Sequence, residues 1–393
     1  MIVKPKVRGF ICTTAHPEGC KANVKNQIDY VKSQPKTDGP KKVLIIGASM
    51  GYGLASRISA AYSCDAATIG VIFDKPATET RTATAGWYNT AAFEQFAAKD
   101  GLYAKSINGD AYSDEIKQQT IAAIKADLGK VDMVVYSLAA PRRTAPDGTV
   151  YTSVLKTVGQ PYTNKTIDLR TNTVSDITVE PATNEEIEHT IKVMGGEDWR
   201  LWLNALQEAD AIEPNAVTVA YSYIGPMITH PMYYDGSIGM AKQDLLRTCK
   251  EINEAFPGMK AFISVNKALV TQSSAAIPIV PLYISILFKV MKERNVHEGC
   301  IEQMYRLFNQ KLFSAELELD DEKRIRMDDL EMQFDVQADV DDLWQKINTE
   351  NLNECADIQG YWKDFYNLFG FEIDGVDYDA DVNIQMPISS LAQ

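Results

Sequence analysis

From Lys41 onward, short apolar runs alternate with longer amphipathic ones, and that alternation leaves few folds open. "KKVLIIGA", "ATIGVIF", "LYAKSING", "VDMVVYSLA", "AVTVAYSYIG" and "MKAFISVNKAL" have the β-branched composition and turn-rich borders of strands. Between them, "GLASRISAAYS", "TAAFEQFAAKDG", "DEIKQQTIAAIKADLG" and "IGMAKQDLLRTCKEINEAF" carry helical spacing. Strands joined through helices run parallel with right-handed crossovers, and the helices cover both sheet faces. The strands are continuous apolar runs, as doubly covered strands should be. The expected fold is therefore α/β, a doubly wound parallel sheet.

The alternation breaks from about Pro141 to Asp198. "DGTVYTSVLKTVGQPYTNKTIDLRTNTVSDITVE" is rich in threonine, valine and turn residues, which predicts a small β-hairpin excursion. "EEIEHTIKVMGGEDWRLWLNALQEAD" then returns to helix. Residues 141–198 are read as a lid or flap inserted in one enlarged domain spanning 1–393, and residues 275–393 as extra helices. The acidic run "ELELDDEKRIRMDDLEMQFDVQADVDDLW" reads as a solvated face, with partner binding as the alternative.

Charge narrows the partners. With 39 basic and 53 acidic residues the formal net charge is −14, which repels nucleic acid and anionic membrane. The opening "MIVKPKVRGF" lacks the apolar core of a signal peptide. "IPIVPLYISILFKVM" (Ile277 to Met291) is too short and too interrupted to span a bilayer and is expected to be a buried helix. Six cysteines in so long a chain argue for a reducing cytoplasm rather than a disulfide framework. Cys12, His16 and Cys20 are spaced four apart, but zinc wants a fourth ligand or a water, the usual CxxC pairs are absent, and Pro17 is expected to break the helix that would align them. No metal is expected.

"VLIIGASMGYGLASRI" places Gly47, Gly51 and Gly53 after a strand and at the opening of a helix. The first glycine permits a tight turn, the second lets backbone approach a pyrophosphate, and the third allows close helix–strand packing. Gly47, Ala48, Ser49, Met50, Gly51, Tyr52 and Gly53 are thus the expected cradle of a dinucleotide, at a helix N-terminus with free N–H groups. The next strand ends "VIFDK". Phe73 and Asp74 stand where a carboxylate accepts from ribose hydroxyls and repels a 2′-phosphate, so NADH is expected over NADPH; Lys75 pulls the other way. Asp110 and Ala111, in "NGDAYSDE", are placed at the adenine. Leu138 and Ala139, in "YSLAAPRR", are placed at the nicotinamide ribose. Arg142 and Arg143 either meet a phosphorylated substrate or balance an acidic surface. A methyltransferase uses a similar glycine loop and stays open at this point, as does a non-catalytic dinucleotide sensor.

In "PMYYDGSIGMAK", Tyr233 precedes Lys242 by nine residues. On one helix such residues point in opposite directions, since each residue turns the chain by about 100°. A tyrosine cooperating with that lysine must therefore lie in the loop before the helix. Pro226, Pro231 and Gly236 keep the tyrosine segment non-helical, and Ser237 is the expected N-cap.

"YSYIG", "YYDGSIGMAK", "GASMGYGLASRI", "MGGEDW", "SVNKALVTQSSAAIPIVPLY" and "MIVKPKVRGFICTTAHPEGC" together resemble the NADH-dependent trans-2-enoyl-CoA reductases. These are relatives of the single-chain V-type enoyl-acyl-carrier-protein reductases. The resemblance runs from Met1 into "GFEIDGVDYDADV", and Y-x8-K marks the group, against Y-x3-K in short-chain reductases and Y-x6-K in other enoyl reductases. It implies an enlarged Rossmann fold related to short-chain dehydrogenases and a role in fatty-acid or butyrate-forming metabolism. The implied reaction is reduction of the C2=C3 bond of a short trans-2-enoyl thioester with NADH, without flavin or metal. Acyl carrier proteins are acidic and this chain at −14 offers one adjacent arginine pair, so coenzyme A is the expected carrier with acyl carrier protein as the alternative; a monomer is expected, since the lid and extra helices can cover the sheet within one chain. Tyr233 is implied as the proton donor, Tyr223 as its neighbour on the substrate, and Lys242 as the holder of the nicotinamide ribose. "LVTQS", Leu269, Val270, Thr271, Gln272 and Ser273, is implied as a cofactor-contacting loop, and the helix after it as a wall of the acyl pocket.

Overall fold

The computed structural model describes residues 1–9, 11–272 and 274–391. A short hairpin, β1 (Val7–Arg8) and β2 (Ile11–Cys12), precedes helix α1 (Pro17–Ser33). The alternating region follows as β3 (Lys42–Ile46), α2 (Gly51–Ser63), β4 (Ala67–Ile72), α3 (Ala85–Lys99), β5 (Ala104–Asn108), α4 (Asp114–Asp127) and β6 (Val131–Tyr136). Two hairpins come next, β7 (Arg142–Thr144) with β8 (Val150–Thr152), and β9 (Tyr162–Asp168) with β10 (Thr173–Val179). Then come α5 (Asn184–Met194), α6 (Glu197–Glu208), β11 (Ile212–Ser222), α7 (Ser237–Ala255) and β12 (Lys260–Val265). The C-terminal part holds α8 (Val280–Glu293), α9 (Cys300–Arg306), β13 (Ile325–Arg326), α10 (Phe334–Lys346), α11 (Leu352–Cys355) and α12 (Ile358–Asn367).

Seven strands form a parallel sheet in the order β13-β12-β11-β6-β3-β4-β5. The chain winds outward from β3 through β4 to β5, then returns to β6 on the other side of β3 and winds outward again. The reversal falls between β3 and β6, and a ligand crevice opens at the carboxyl ends of strands at such a point. Val43, Leu44, Ile45 and Ile46 are fully buried because helices cover both faces. One face packs β3 against α1 and α2 through Val24, Ile28, Leu54 and Ile58. The other packs it against α4, α6 and α7 through Ile124, Trp202, Leu245 and Ile252. A third apolar cluster surrounds α8, with Val336, Trp344, Tyr361 and Phe365 from the C-terminal helices.

Three sequence expectations change here. Pro17 does not break a helix but starts one: it sits in the first turn of α1, where its missing N–H costs nothing, and His16 Nδ1 accepts from Gly19 N at 3.1 Å as the cap. Helix α7 is capped by Gly236 rather than Ser237. The Ser237 hydroxyl instead donates to Val154 O at 2.6 Å, and Ser237 N donates to Lys156 O, which ties α7 to the segment after β8. The acidic run is not wholly a solvated face, because Asp328 and Glu331 within it are buried. Among the described residues, no helix is long and apolar enough to cross a membrane.

Candidate active site

The loop after β3 follows the glycine logic of its sequence. Gly47 has φ +85, and a Cβ there would lie 2.2 Å from Ser137 O. A Cβ at Gly53 would lie 1.9 Å from Gly47 O, so only glycine lets α2 pack this close. Gly51 has φ +52 and faces open space. Met50 caps α2 without a side-chain acceptor, which leaves first-turn N–H groups facing the crevice. Ala48 is buried, and Ser49 O accepts from Asn89 Nδ2 at 3.1 Å. Tyr52 turns inward: its hydroxyl donates to Lys267 O at 2.7 Å and accepts from Gln303 Nε2 at 3.0 Å, so its side chain is committed to the protein.

At the end of β4, Phe73 is 77% exposed and Asp74 bends back over the start of α3. Asp74 Oδ1 accepts from Thr84 Oγ1 at 2.7 Å, and a Cβ at Gly86 would lie 2.5 Å from either carboxylate oxygen. Among the described residues Asp74 Oδ2 is buried without a well-formed hydrogen bond, and burial raises the carboxyl's pKa against the opposing side chains of Thr84 and Ser49. Such an acceptor at the strand end beside the glycine loop fits a ribose hydroxyl. Beyond β5, Asp110 Oδ1 accepts from Tyr112 N at 3.0 Å. Ala111 is buried, and its carbonyl accepts from Trp202 Nε1 and Lys117 Nζ. Leu138 packs on Gly47, and Ala139 is exposed.

Arg142 and Arg143 part company. Arg142 is exposed, whereas Arg143 is 2% exposed and donates to Lys192 O and Glu197 Oε2, both at 2.7 Å, with its guanidinium over the Tyr112 ring. Arg143 is therefore a joint between β7 and α5–α6, not a substrate ligand. In the loop after β12, Leu269 and Val270 are buried, Gln272 is exposed, and Thr271 Oγ1 donates to Ser274 Oγ at 3.2 Å. Ser273 lies outside the described residues.

Tyr223 follows β11, and the chain then coils back so that Tyr233 N donates to Thr229 O at 2.9 Å. Gly236 and Gly239 let α7 approach this loop. A Cβ at Gly239 would lie 1.9 Å from Tyr234 O and 2.4 Å from Tyr233 O, and one at Gly236 would lie 2.5 Å from Met232 O. The rings of Tyr223 and Tyr233 meet edge to face at 4.7 Å and 89°. The Tyr233 hydroxyl makes no hydrogen bond among the described residues, and burial alone pushes its pKa well above the ordinary phenol range, so it stays protonated. Lys242 Nζ donates to Tyr221 O at 3.0 Å, and burial alone pushes its pKa down to about 8. No hydrogen bond joins Tyr233 to Lys242 among the described residues; Tyr233 is carried by the loop before α7 and Lys242 by α7 itself.

The residues missed from the sequence are Glu331 and Lys267. Glu331 Oε1 accepts from Tyr223 Oη at 3.0 Å and Tyr283 Oη at 2.7 Å, and Oε2 accepts from Ala268 N at 2.7 Å. Nothing in an acidic run singles out one carboxylate as buried. Lys267 is buried over the Phe288 ring at 5.0 Å, two residues beyond the end of β12.

The comparisons agree with this geometry. Residues 81–313 match the trans-2-enoyl-CoA reductase catalytic region, residues 2–79 the NAD(P)H binding domain of trans-2-enoyl-CoA reductase, and residues 319–382 an enoyl reductase FAD binding domain. The chain is 59% identical over 394 residues, all of both chains, to the trans-2-enoyl-CoA reductase [NADH] of Ruminiclostridium cellulolyticum. It is 56% identical over 395 residues, again all of both, to the enoyl-[acyl-carrier-protein] reductase [NADH] of Flavobacterium johnsoniae. The crystal structure of Clostridium acetobutulicum trans-2-enoyl-CoA reductase in complex with NADH superposes with a TM-score of 0.95 at 49% identity, covering 99% of this chain and 100% of the other. A methyltransferase is thereby excluded, and a crevice at the strand reversal, a glycine cradle and a Y-x8-K pair have one common explanation: the chain belongs to the trans-2-enoyl-CoA reductase family.

Proposed function

We propose that the protein reduces the C2=C3 bond of a short trans-2-enoyl-CoA with NADH, with Tyr233 as the proton donor. The observation that carries this is the Tyr233 phenol: protonated, without a hydrogen-bond partner among the described residues, and held on a loop seated against the start of α7 by Gly239. The first-turn N–H groups of α2 would hold the NADH pyrophosphate, Asp74 the adenosine ribose and Lys242 the nicotinamide ribose. The bound nicotinamide supplies a hydride for the β-carbon. Negative charge then grows on the thioester oxygen, where Tyr233 stabilises it with a hydrogen bond and supplies the proton that reaches the α-carbon. Tyr223 contributes its ring rather than its hydroxyl, which is occupied by Glu331.

In this reading residues 141–198 cover the site. The bonds from Ser237 to Val154, and from Tyr162 Oη to Ile228 O at 3.2 Å, support it by tying that segment to the loop of Tyr233. Helix α8 would wall the acyl chain. Residues 319–382 do not fit a flavin: they are acid-rich where a dinucleotide pyrophosphate needs donors, and their apolar faces are buried against α8. Their buried carboxylates are already engaged, Asp328 by Arg326 and Glu331 by the two tyrosines. Coenzyme A is favoured over acyl carrier protein because the chain is acidic and Arg142 alone of the arginine pair is exposed.

The test is NADH oxidation with crotonyl-CoA, alongside NADPH and a crotonylated acyl carrier protein. Turnover with NADH and crotonyl-CoA, falling by about 10²-fold or more in Tyr233→Phe with NADH binding kept, is expected. Undiminished turnover in that variant defeats the mechanism.

A further inference from the structure

We infer that Glu331 is a positioning residue of the reaction, fixing Tyr223 and through it the ring of Tyr233. The carboxylate joins three walls of the site. It holds the β11 end through Tyr223, helix α8 through Tyr283, and the loop after β12 through Ala268 N. Its three neighbours all donate to it, Ala268 N–H to Oε2 and the two tyrosine hydroxyls to Oε1, a set that suits a carboxylate. Burial raises its pKa, the charge of Lys267 opposes that, and the bonds from Tyr283 and Ala268 oppose it further. Gln337 Nε2 donates to Glu331 O at 2.7 Å and anchors the backbone from behind.

The consequence lies at Tyr223. Its hydroxyl is committed to Glu331, and its ring fills the space that Gly225 vacates, where a Cβ would lie 2.5 Å from the hydroxyl oxygen. The ring, so held at both sides, presents its edge-to-face contact to Tyr233. Among the described residues the Tyr233 hydroxyl makes no hydrogen bond, so this aromatic contact is what steadies its ring. A glutamine at 331 cannot replace the carboxylate. With its amide oxygen toward the two tyrosines, its NH₂ opposes the N–H of Ala268; reversed, it stops accepting from Tyr223.

This inference rests on Tyr233 being the proton donor, and the experiment separates the two. Steady-state kinetics with crotonyl-CoA, NADH binding by fluorescence, and thermal unfolding are measured for Tyr233→Phe, Tyr223→Phe, Glu331→Gln and the double variant Tyr223→Phe/Glu331→Gln. Glu331→Gln is expected to lower kcat by about 10- to 100-fold while the Kd for NADH stays within about 3-fold. In the Tyr223→Phe background the same substitution should add less than about 2-fold, since it has lost the group it acts through. A folded Glu331→Gln with unchanged kcat, or losses that multiply in the double variant, overturns the inference. Should Glu331→Gln not fold, Tyr223→Phe carries the test, and an unchanged kcat there overturns it equally. Retained turnover in Tyr233→Phe instead defeats the reading of the reaction itself.

Discussion

Gly239 sits directly against Tyr233: a Cβ on the glycine would lie 2.4 Å from Tyr233 O and 1.9 Å from Tyr234 O. That contact explains how a nine-residue separation can serve one site. The loop carrying Tyr233 lies on the first turn of the helix carrying Lys242, and only a residue without a side chain permits it. Gly239→Ala is therefore expected to push the loop outward. Overpacking of this kind costs about 1–3 kcal/mol, and displacement of the proton donor should lower kcat about 10-fold or more. Thermal unfolding and crotonyl-CoA turnover measured together check it; a variant with normal kcat would show that Tyr233 does not depend on this seat.

Asp74 commits one oxygen and leaves the other open to a donor. Oδ1 takes the Thr84 hydroxyl, whereas Oδ2 is buried without a well-formed hydrogen bond among the described residues. Asp74→Ala removes the acceptor for a ribose hydroxyl and the charge that repels a 2′-phosphate. Loss of a charged hydrogen bond should lower kcat/KM for NADH by about 10-fold or more, while kcat/KM for NADPH rises. The ratio, measured at constant salt, is the readout, and an unchanged ratio would place cofactor discrimination elsewhere.

The alternating strands and helices were legible because each element announces itself locally. The three glycines of the loop after β3 were legible for the same reason, each being required by a contact that spans only a few residues or one neighbouring strand. Glu331 was not legible. It lies 108 residues from Tyr223, and its burial depends on how β13 and α10 fold back over β12. Pro17 misled because proline is tolerated in the first turn and forbidden only later, and no rule of composition locates the first turn to one residue. Arg143 misled because an arginine pair in a loop carries no sign of which member faces in.

The two arginines give a direct test of that last point. Arg143→Ala leaves a cavity under Tyr112 and deprives the Lys192 carbonyl of its donor, at a cost of about 2–3 kcal/mol. Arg142→Ala, on the exposed side, is expected to leave unfolding unchanged within experimental error. If coenzyme A phosphates reach this edge, the KM for crotonyl-CoA rises in Arg142→Ala alone. Thermal unfolding and KM for both variants separate the structural arginine from the exposed one; a stable Arg143→Ala would contradict the joint described here.

Lys242 makes a pH prediction whose sign follows from burial. Its pKa is pushed down from 10.5 to about 8, so the ammonium is present below about pH 8 and lost above it. Donation to ribose hydroxyls by the charged form then weakens as pH rises, and kcat/KM, which reports groups of the free enzyme, should fall above about pH 8. Stability moves the other way. Between about pH 8 and 10.5 the unfolded chain holds the proton that the folded chain has released, so stability rises with pH across that window, and below it the full penalty of burying the cation remains. Lys267, likewise pushed down to about 8, titrates in the same window, so Lys242→Met should reduce this rise without abolishing it. The two lysines separate in NADH affinity. The Kd of the unmodified protein should weaken above about pH 8, whereas that of Lys242→Met should be weak and flat across the same range. A Kd for the unmodified protein that stays constant from pH 7 to 9.5 would show that Lys242 does not hold the cofactor as a cation.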